Sequence, residues 1–569
     1  MTTEERYRHW LENVTADEAA QLRALAEDEA ALADAFRMEL EFGTAGLRGI
    51  LGLGSNRMNA YTVGKATQGL ADYLNATFEA PTVAIARDSR LMGEEFVQVA
   101  AGVLAANGVK SYLYPRIEPT PALSFAVRYL GCSAGINMTA SHNPAEYNGY
   151  KAYGPDGCQI TTQAAAAIQD AINNVDAFAD VKRIPFEEAL QAGLAVYMEE
   201  DVIQAFVDAV HAQSIEPENT GDIRIVYTPL NGTGLECVSA ILEKIGVTDV
   251  HVVPEQAQPD GNFPTCPYPN PEIREALELG LAMAETDEPY LVLATDPDAD
   301  RVGIAARHNG EYVLVSGNEM GALLLEYLAA RNVELGNSLA GRLAVTTIVS
   351  SAMIDSIAQA YGLQLRRTLT GFKYIGEQIG LLEAAGEEGR FLFGFEESYG
   401  YLAGTHVRDK DAIVASMLIC QMARWHQGKG RDLIQALEQM YERYGYFCNK
   451  TLSFSFPGAA GAQKMADIMA GVRTGEIASI GGYAVLKKVD YQGGAPMPVT
   501  GPVAATDAQQ MLPPANVVEF QLEDGNKVIV RPSGTEPKVK VYLFAKAPTA
   551  AQAGTVLGAL EEAAKQMMA

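Results

Sequence analysis

Short runs of consecutive apolar residues recur along the chain, and each ends in a loop bearing charge, glycine or proline. Thr82–Ala86, Ala134–Ile136, Tyr290–Ala294, Leu343–Val349 and Phe391–Phe393 all follow this pattern. Runs this short, with no polar alternation, predict strands buried on both faces. Helix-compatible stretches separate them, so the alternation predicts α/β units whose ligands sit at the carboxyl ends of the strands. Residues from about Thr2 to Glu41 are predicted helix, because Asp17–Met38 is rich in Ala, Leu and Glu and holds neither Gly nor Pro. The end of the chain differs. Val517–Leu522, the turn Asp524-Gly525 and Lys527–Val530 predict a hairpin, and Val539–Phe544 a third strand. A closing helix, capped by Thr549 and running to Met567, should cover that sheet.

Length and charge narrow the class. A chain of 569 residues, 48% apolar, can bury several cores and predicts a multidomain globular protein. Its net charge of -28 argues against nucleic acid or an anionic membrane as partner, so an anionic substrate must meet a local basic pocket. Six scattered cysteines, with no Cys-x-x-Cys pair and no His at zinc-ligand spacing, suit reduced thiols in the cytoplasm. No apolar window approaches the length a membrane span requires. Nothing in the composition counts subunits.

Candidate chemistry gathers where the strands end. After Ala134–Ile136 comes Thr139-Ala-Ser141-His142-Asn-Pro144, with Lys151 returning after the turn. Ser141 is a candidate phosphoryl acceptor, although an ordinary ST-turn accounts for the same four residues. Earlier, Arg48 sits among glycines in Phe42–Ile50 and is suited to a bidentate phosphate contact, or to a plain turn. Arg87-Asp88-Ser89-Arg90 reads equally well as a solvated charge cluster. The strand at Tyr290–Ala294 runs into Asp296-Pro-Asp298-Ala-Asp300-Arg301, three alternating carboxylates that call for a hard cation such as Mg²⁺. An EF-hand fails here, because Arg301 and Arg307 stand where Gly and Glu belong; an aspartyl phosphatase passes the spacing test and is opposed by Ser141. The loop Asn231-Gly-Thr-Gly234 opens a helix and suits an anion, or none. Further on, Gly371-Phe-Lys373 precedes Phe391–Phe393, which ends in Glu396-Glu397-Ser398. Paired carboxylates with a hydroxyl suit sugar hydroxyls, and equally suit helix N-termini. Lys410, between Asp409 and Asp411, lies at a helix start that disfavours a cation. Last, Arg531-Pro-Ser533-Gly534-Thr535 offers a guanidinium fork, two hydroxyls and a backbone amide to a phosphate.

In order and spacing these segments resemble the α-D-phosphohexomutase superfamily over nearly the whole chain, most of all its long phosphoglucomutase and phosphopentomutase branch. The resemblance implies three related mixed-sheet α/β domains (1–215, 216–333, 334–446) and a smaller C-terminal α+β domain (447–569) around a central cleft. It implies a phosphorylated Ser141, and Mg²⁺ held by Asp296, Asp298, Asp300 and the serine phosphate. Glu396, Ser398 and Lys373 would bind the sugar, and Arg531, Ser533, Gly534 and Thr535 the unreacting phosphate. Arg48, His142, Lys151, Arg301 and Lys410 would surround the transferring group, with Lys151 or Lys410 as general base and acid at a lowered pKa, or His142 in their place. The implied reaction interconverts glucose 1-phosphate and glucose 6-phosphate, with glucose 1,6-bisphosphate as intermediate and activator. Pentose and mannose phosphates are the alternative substrates. A phosphohydrolase using Asp296 and a non-catalytic sugar-phosphate binder are the alternatives of other classes. Asn231 departs from the His that many relatives carry.

Overall fold

The computed structural model of the protein describes every residue except 44–45, 217–220, 457, 504–509 and 534–537. Three of its sheets repeat one plan. The first contains β1 (Leu47–Ile50), β2 (Thr82–Arg87), β3 (Lys110–Leu113), β4 (Ala134–Met138), β5 (Tyr147–Tyr153) and β6 (Ala195–Tyr197), in the order β1-β5-β4-β2-β3-β6. Here β4, β2, β3 and β6 run parallel, while β5 turns back antiparallel to β4. The second sheet has β7 (Ile225–Thr228), β8 (Val250–Val252), β9 (Leu291–Thr295), β10 (Val302–His308) and β11 (Glu311–Val315), in the order β11-β10-β9-β7-β8. The third has β12 (Leu343–Thr347), β13 (Gln364–Thr368), β14 (Phe391–Glu396) and β15 (Gly400–Ala403), ordered β15-β14-β12-β13. In each, a parallel core ends in a strand that reverses into an antiparallel neighbour, and in the first sheet β6 then adds a further parallel strand at the edge.

That reversal matters for function. The three loops that make it, β4 to β5, β9 to β10 and β14 to β15, carry the serine, aspartate and glutamate motifs respectively. Each needs one non-glycine residue in the left-handed region: Ser141 at φ 52°, Ala299 at φ 48° and Tyr399 at φ 64°. The strands feeding them are wholly buried, as the absence of polar alternation predicts.

One apolar core runs through the three units. Phe125 and Phe206, Tyr227 and Ile241, Leu343 and Phe393 all join it, together with the helix Ala412–Gly428. That helix is apolar on nearly every side and sits at the centre. The predicted N-terminal helix is three: Thr3–Asn13, Ala16–Leu25 and Glu29–Phe36. Thr15 and Asp28 break it, because their side chains accept N–H groups of the following turn and so start new helices.

The C-terminal unit is a six-stranded antiparallel sheet, including the predicted hairpin Val518–Leu522 and Lys527–Pro532 beside Lys538–Ala547. Its helices, Gly458–Thr474 and Ala550–Met568, cover one face. Ile529, Tyr542 and Phe544 on the other face pack on Ile348, Val349 and Leu369 of the third unit. A two-residue strand from this part of the chain, Val499–Thr500, pairs antiparallel with β13 and finishes the third sheet.

Candidate active site

Ser141 lies at the tip of the β4–β5 hairpin and is 3% exposed. Its backbone N–H donates to Thr139 Oγ1 (2.8 Å), and the Thr139 hydroxyl donates to Asp88 Oδ2 (2.5 Å). Gly149 on β5 passes so close that a Cβ there would stand 2.4 Å from the Thr139 carbonyl oxygen. Held this way, Ser141 Oγ donates to Asp296 Oδ2 at 2.8 Å and lies 3.2 Å from His142 Nδ1. Residues of the first and second units thereby meet at one hydroxyl.

The aspartate loop faces it. Asp296 Oδ1 accepts the N–H groups of Asp300 (3.1 Å) and Arg301 (2.9 Å). Asp298 Oδ2 accepts from Lys151 (2.7 Å) and Thr120 (2.8 Å), and Asp300 Oδ2 faces both Lys151 (3.1 Å) and Lys410 (3.2 Å). From behind, Thr233 donates its N–H and hydroxyl to the Pro297 carbonyl, and a Cβ on Gly232 would strike Pro297 at 2.4 Å. The Asn231 loop is therefore a buttress of the aspartate loop.

One oxygen from each of Asp296, Asp298 and Asp300 can lie within 4.8 Å of the others, and all three residues are buried. Burial, then Asp298 and Asp300, push the Asp296 carboxyl well above the ordinary range. Burial acts the same way on Asp298, but Lys151 more than offsets it and holds that carboxyl well below. Asp298 Oδ1 and Asp300 Oδ1 are buried without a hydrogen-bond partner. Crowded carboxylates with orphaned oxygens suit a hard divalent cation such as Mg²⁺.

The cations correct one expectation. Burial alone would lower Lys151 and Lys410, yet Asp298 and Asp300 around the first, and Asp300 and Asp409 around the second, hold both above the ordinary lysine range. Beside these carboxylates both are held as ammonium ions. His142 is the reverse: burial, with Arg301 and Arg48 nearby, pushes it well below the usual range, so its imidazole is neutral. Arg48 reaches the hairpin from the cleft, donating to Asn143 Oδ1 at 3.3 Å.

Arg301 joins the aspartate loop to the third unit, donating to Glu272 (2.8 Å) and to the Ser398 carbonyl (2.9 Å). Glu396 is buried and accepts the Gly371 N–H (2.7 Å), where the helix Phe372–Ala384 begins. The helix-terminus reading of that carboxylate thus holds, but for a helix earlier in the chain. Lys373 follows on the same helix, its ammonium 4.8 Å from the Tyr374 ring. Glu397 accepts from Thr347 (3.1 Å), and burial beside Glu396 pushes its carboxyl up to about 7. Ser398 lines a cleft of about 420 Å³ between the third and fourth units, with Lys540 and Tyr542 on the far wall. Arg531 stands directly opposite Lys540 on the neighbouring strand, and the Ser533 N–H bonds the Lys538 carbonyl (2.7 Å). Gly534 and Thr535 lie outside the described residues.

Ser141, His142, Lys151, the aspartate triplet, Arg301 and Lys410 are thus brought into one buried cluster. Arg48, Glu396 and Ser398 border it, while Lys373 lies on the helix that Glu396 caps, and Arg531 and Ser533 belong to the strand pair that also carries Lys540 of the cleft wall. Sequence reasoning passed over Thr120, read Asp88 and Arg90 as equally suited to a surface cluster, and named Asp409 only as a salt-bridge partner for Lys410. The signal for Asp409 was its place beside Lys410, whose ammonium it holds at 2.9 Å.

Family models match in chain order: phosphoglucomutase/phosphomannomutase α/β/α domain I over residues 39–178, domain II over 204–310, domain III over 316–444 and the C-terminal domain over 486–561. A phosphoglucomutase of Staphylococcus saprophyticus is 35% identical, the match covering 94% of this chain and 95% of that one. Among solved structures, the Paramecium phosphoglucomutase parafusin superposes with a TM-score of 0.69 at 19% identity, covering 93% of this chain and 95% of that one. An Aspergillus fumigatus N-acetylphosphoglucosamine mutase, solved with GlcNAc-6P and magnesium, gives 0.52 at 14% identity, covering 96% and 99%.

Proposed function

The chain belongs to the phosphoglucomutase/phosphomannomutase family, and from that premise we propose that it interconverts glucose 1-phosphate and glucose 6-phosphate through a phosphorylated Ser141. Glucose 1,6-bisphosphate is the intermediate and activator, and the protein works in the cytoplasm. The relatives named phosphoglucomutase match nearly full length, which supports the sugar. Among the described residues no helix is long and apolar enough to cross a membrane. The observation that carries the reading is the 2.8 Å approach of a buried serine hydroxyl to a triplet of carboxylates.

Phosphoryl transfer asks mostly for positioning and charge neutralisation, since its transition state spreads negative charge over the equatorial oxygens. Asp296, Asp298 and Asp300 would hold Mg²⁺, which when bound supplies part of that neutralisation beside Ser141. Lys151 and Lys410 supply more, and as ammonium ions they can protonate a departing oxygen. The acceptors within reach of Ser141 Oγ are Asp296 and the neutral His142. In each half of the cycle Ser141 exchanges one phosphoryl group with a sugar hydroxyl. Arg531 and Ser533, together with the neighbouring Gly534 and Thr535, would grip the phosphate that is not reacting, and Glu396, Ser398 and Lys373 the sugar. The hydrolase alternative would use Asp296 as nucleophile and release inorganic phosphate, whereas the mutase conserves the phosphoester.

The test supplies glucose 1-phosphate, Mg²⁺ and a trace of glucose 1,6-bisphosphate, and follows glucose 6-phosphate and inorganic phosphate together. Glucose 6-phosphate should form without phosphate release, and Ser141→Ala should lose on the order of 1,000-fold or more in kcat. Full activity in Ser141→Ala refutes the serine's role. A higher kcat/KM for ribose 1-phosphate refutes the assignment of glucose.

A further inference from the structure

A serine at φ 52° is strained, because its Cβ crowds its own backbone. The surrounding structure must over-determine that conformation for it to persist. Directly beneath the hairpin lies Arg90, 2% exposed, at the end of β2. Its guanidinium donates to the carbonyls of Ser141 (2.6 Å), Pro144 (2.8 Å) and Tyr147 (2.9 Å), and to that of Asn143. Four carbonyls of one loop converge on a single cation, whose planar fork fixes their relative directions. Asp88, fully buried, anchors the same cation at 3.4 Å and also accepts the Arg90 N–H (2.9 Å). Its other oxygen takes the Thr139 hydroxyl, which in turn receives the Ser141 N–H. The Phe263 ring from the second unit closes over the guanidinium at 5.1 Å.

We infer that Asp88, Arg90 and Thr139 are positioning residues, which hold Ser141 in its left-handed conformation and so aim Oγ at Asp296. The inference rests on the reading of Ser141 as the phosphoryl carrier. All three are buried and act on the hairpin's backbone, so their effect passes through the placement of that loop and of the Ser141 hydroxyl at its tip. Because the bound sugar phosphate touches other groups, loss of aim should appear in kcat and leave KM in place. A misplacement of about 1 Å at a reacting atom is worth on the order of 100-fold in rate.

Thr139→Val removes the relaying hydroxyl at nearly constant shape, and Thr139→Ser restores it. For Thr139→Val we expect kcat to fall on the order of 100-fold with KM for glucose 1-phosphate within about twofold. The rate at which Ser141 acquires labelled phosphate from glucose 1,6-bisphosphate should fall in parallel, and Thr139→Ser should recover most of both. Arg90→Lys, which keeps the charge and loses the fork, should give the same split and serves if Thr139→Val does not fold. A crystal structure of the variant reads the geometry independently of activity: Ser141 should leave positive φ and Oγ should leave Asp296. Unchanged kcat, a loss confined to KM, a Thr139→Ser as impaired as Thr139→Val, or Ser141 unmoved in the crystal would each overturn the inference. A wild-type enzyme without mutase activity would instead overturn the function, and the crystallographic comparison would still decide the positioning.

Discussion

Replacing Asp296 with Asn should strengthen the fold where metal is withheld and weaken it where metal is supplied. The three carboxylates can approach within 4.8 Å of one another, and two unit charges at that distance repel by about 3–4 kcal/mol at an effective dielectric near 20. Lys151 and Lys410 relieve Asp298 and Asp300, but among the described residues no lysine pairs with Asp296. Its carboxyl is accordingly the one held well above the ordinary range. The sign follows: an acid whose folded pKa is raised subtracts stability once the pH exceeds its unfolded value. Asn keeps an oxygen for the N–H groups of Asp300 and Arg301 and removes the charge. Denaturant midpoints in EDTA at pH 7.5 should therefore rise, by about 1–3 kcal/mol after allowing for relaxation. Wild type should gain about 2.7 kcal/mol from Mg²⁺ at a hundred times its dissociation constant, whereas the variant gains little. The two orders of stability cross once the Mg²⁺ gain exceeds the variant's lead in EDTA, and Asp296→Asn should be inactive throughout. A variant less stable than wild type in EDTA, or one that still gains from Mg²⁺, would refute the claim that this site stores repulsion for the cation to relieve.

Glu118 gives a pH prediction. Burial pushes its carboxyl up to about 8 despite Arg116 at 3.0 Å, so its contribution to stability is full below about 4.5 and is lost as the pH rises through 8. Glu118→Gln should gain on wild type steadily from pH 5 to 8 in chemical denaturation, and a constant difference would show that Glu118 does not titrate there. At the join of the third and fourth units, Asp355 accepts from Arg367 (2.6 Å) and Thr500 (2.5 Å). Asp355→Ala removes the carboxylate while Arg367 keeps the Thr347, Ser350 and Ser351 carbonyls, and should cost about 1.5–3 kcal/mol by urea titration; a loss under about 1 kcal/mol would mean the pair adds nothing.

What the sequence disclosed was local. Strand ends and motif residues were legible because a continuous apolar run and a loop lie side by side in the chain. Arg90 was not, since Arg87–Arg90 has the composition of a solvated cluster and is buried by Gly261 and Phe263, far along the chain. The direction of the lysine pKa values failed for the same reason: Lys151 and Lys410 belong to different units from the Asp298 and Asp300 that surround them. The N-terminal helix was read as one because propensity does not register caps at Thr15 and Asp28. Val499–Thr500, two residues long, has no periodicity to detect.

That short strand constrains how the gene can be cut. It covers the flank of Gln364–Thr368, whose residues are all buried, and Arg367 reaches past it to bond the Pro498 carbonyl through its own N–H. A fragment ending at residue 446 would keep the parallel strands of all three related sheets and the whole metal loop, yet leave the backbone donors and acceptors along the edge of Gln364–Thr368 without the strand that pairs with them. Such edges recruit one another. The truncated protein, which also uncovers Ile348, Val349 and Leu369, should therefore precipitate as cross-strand aggregates.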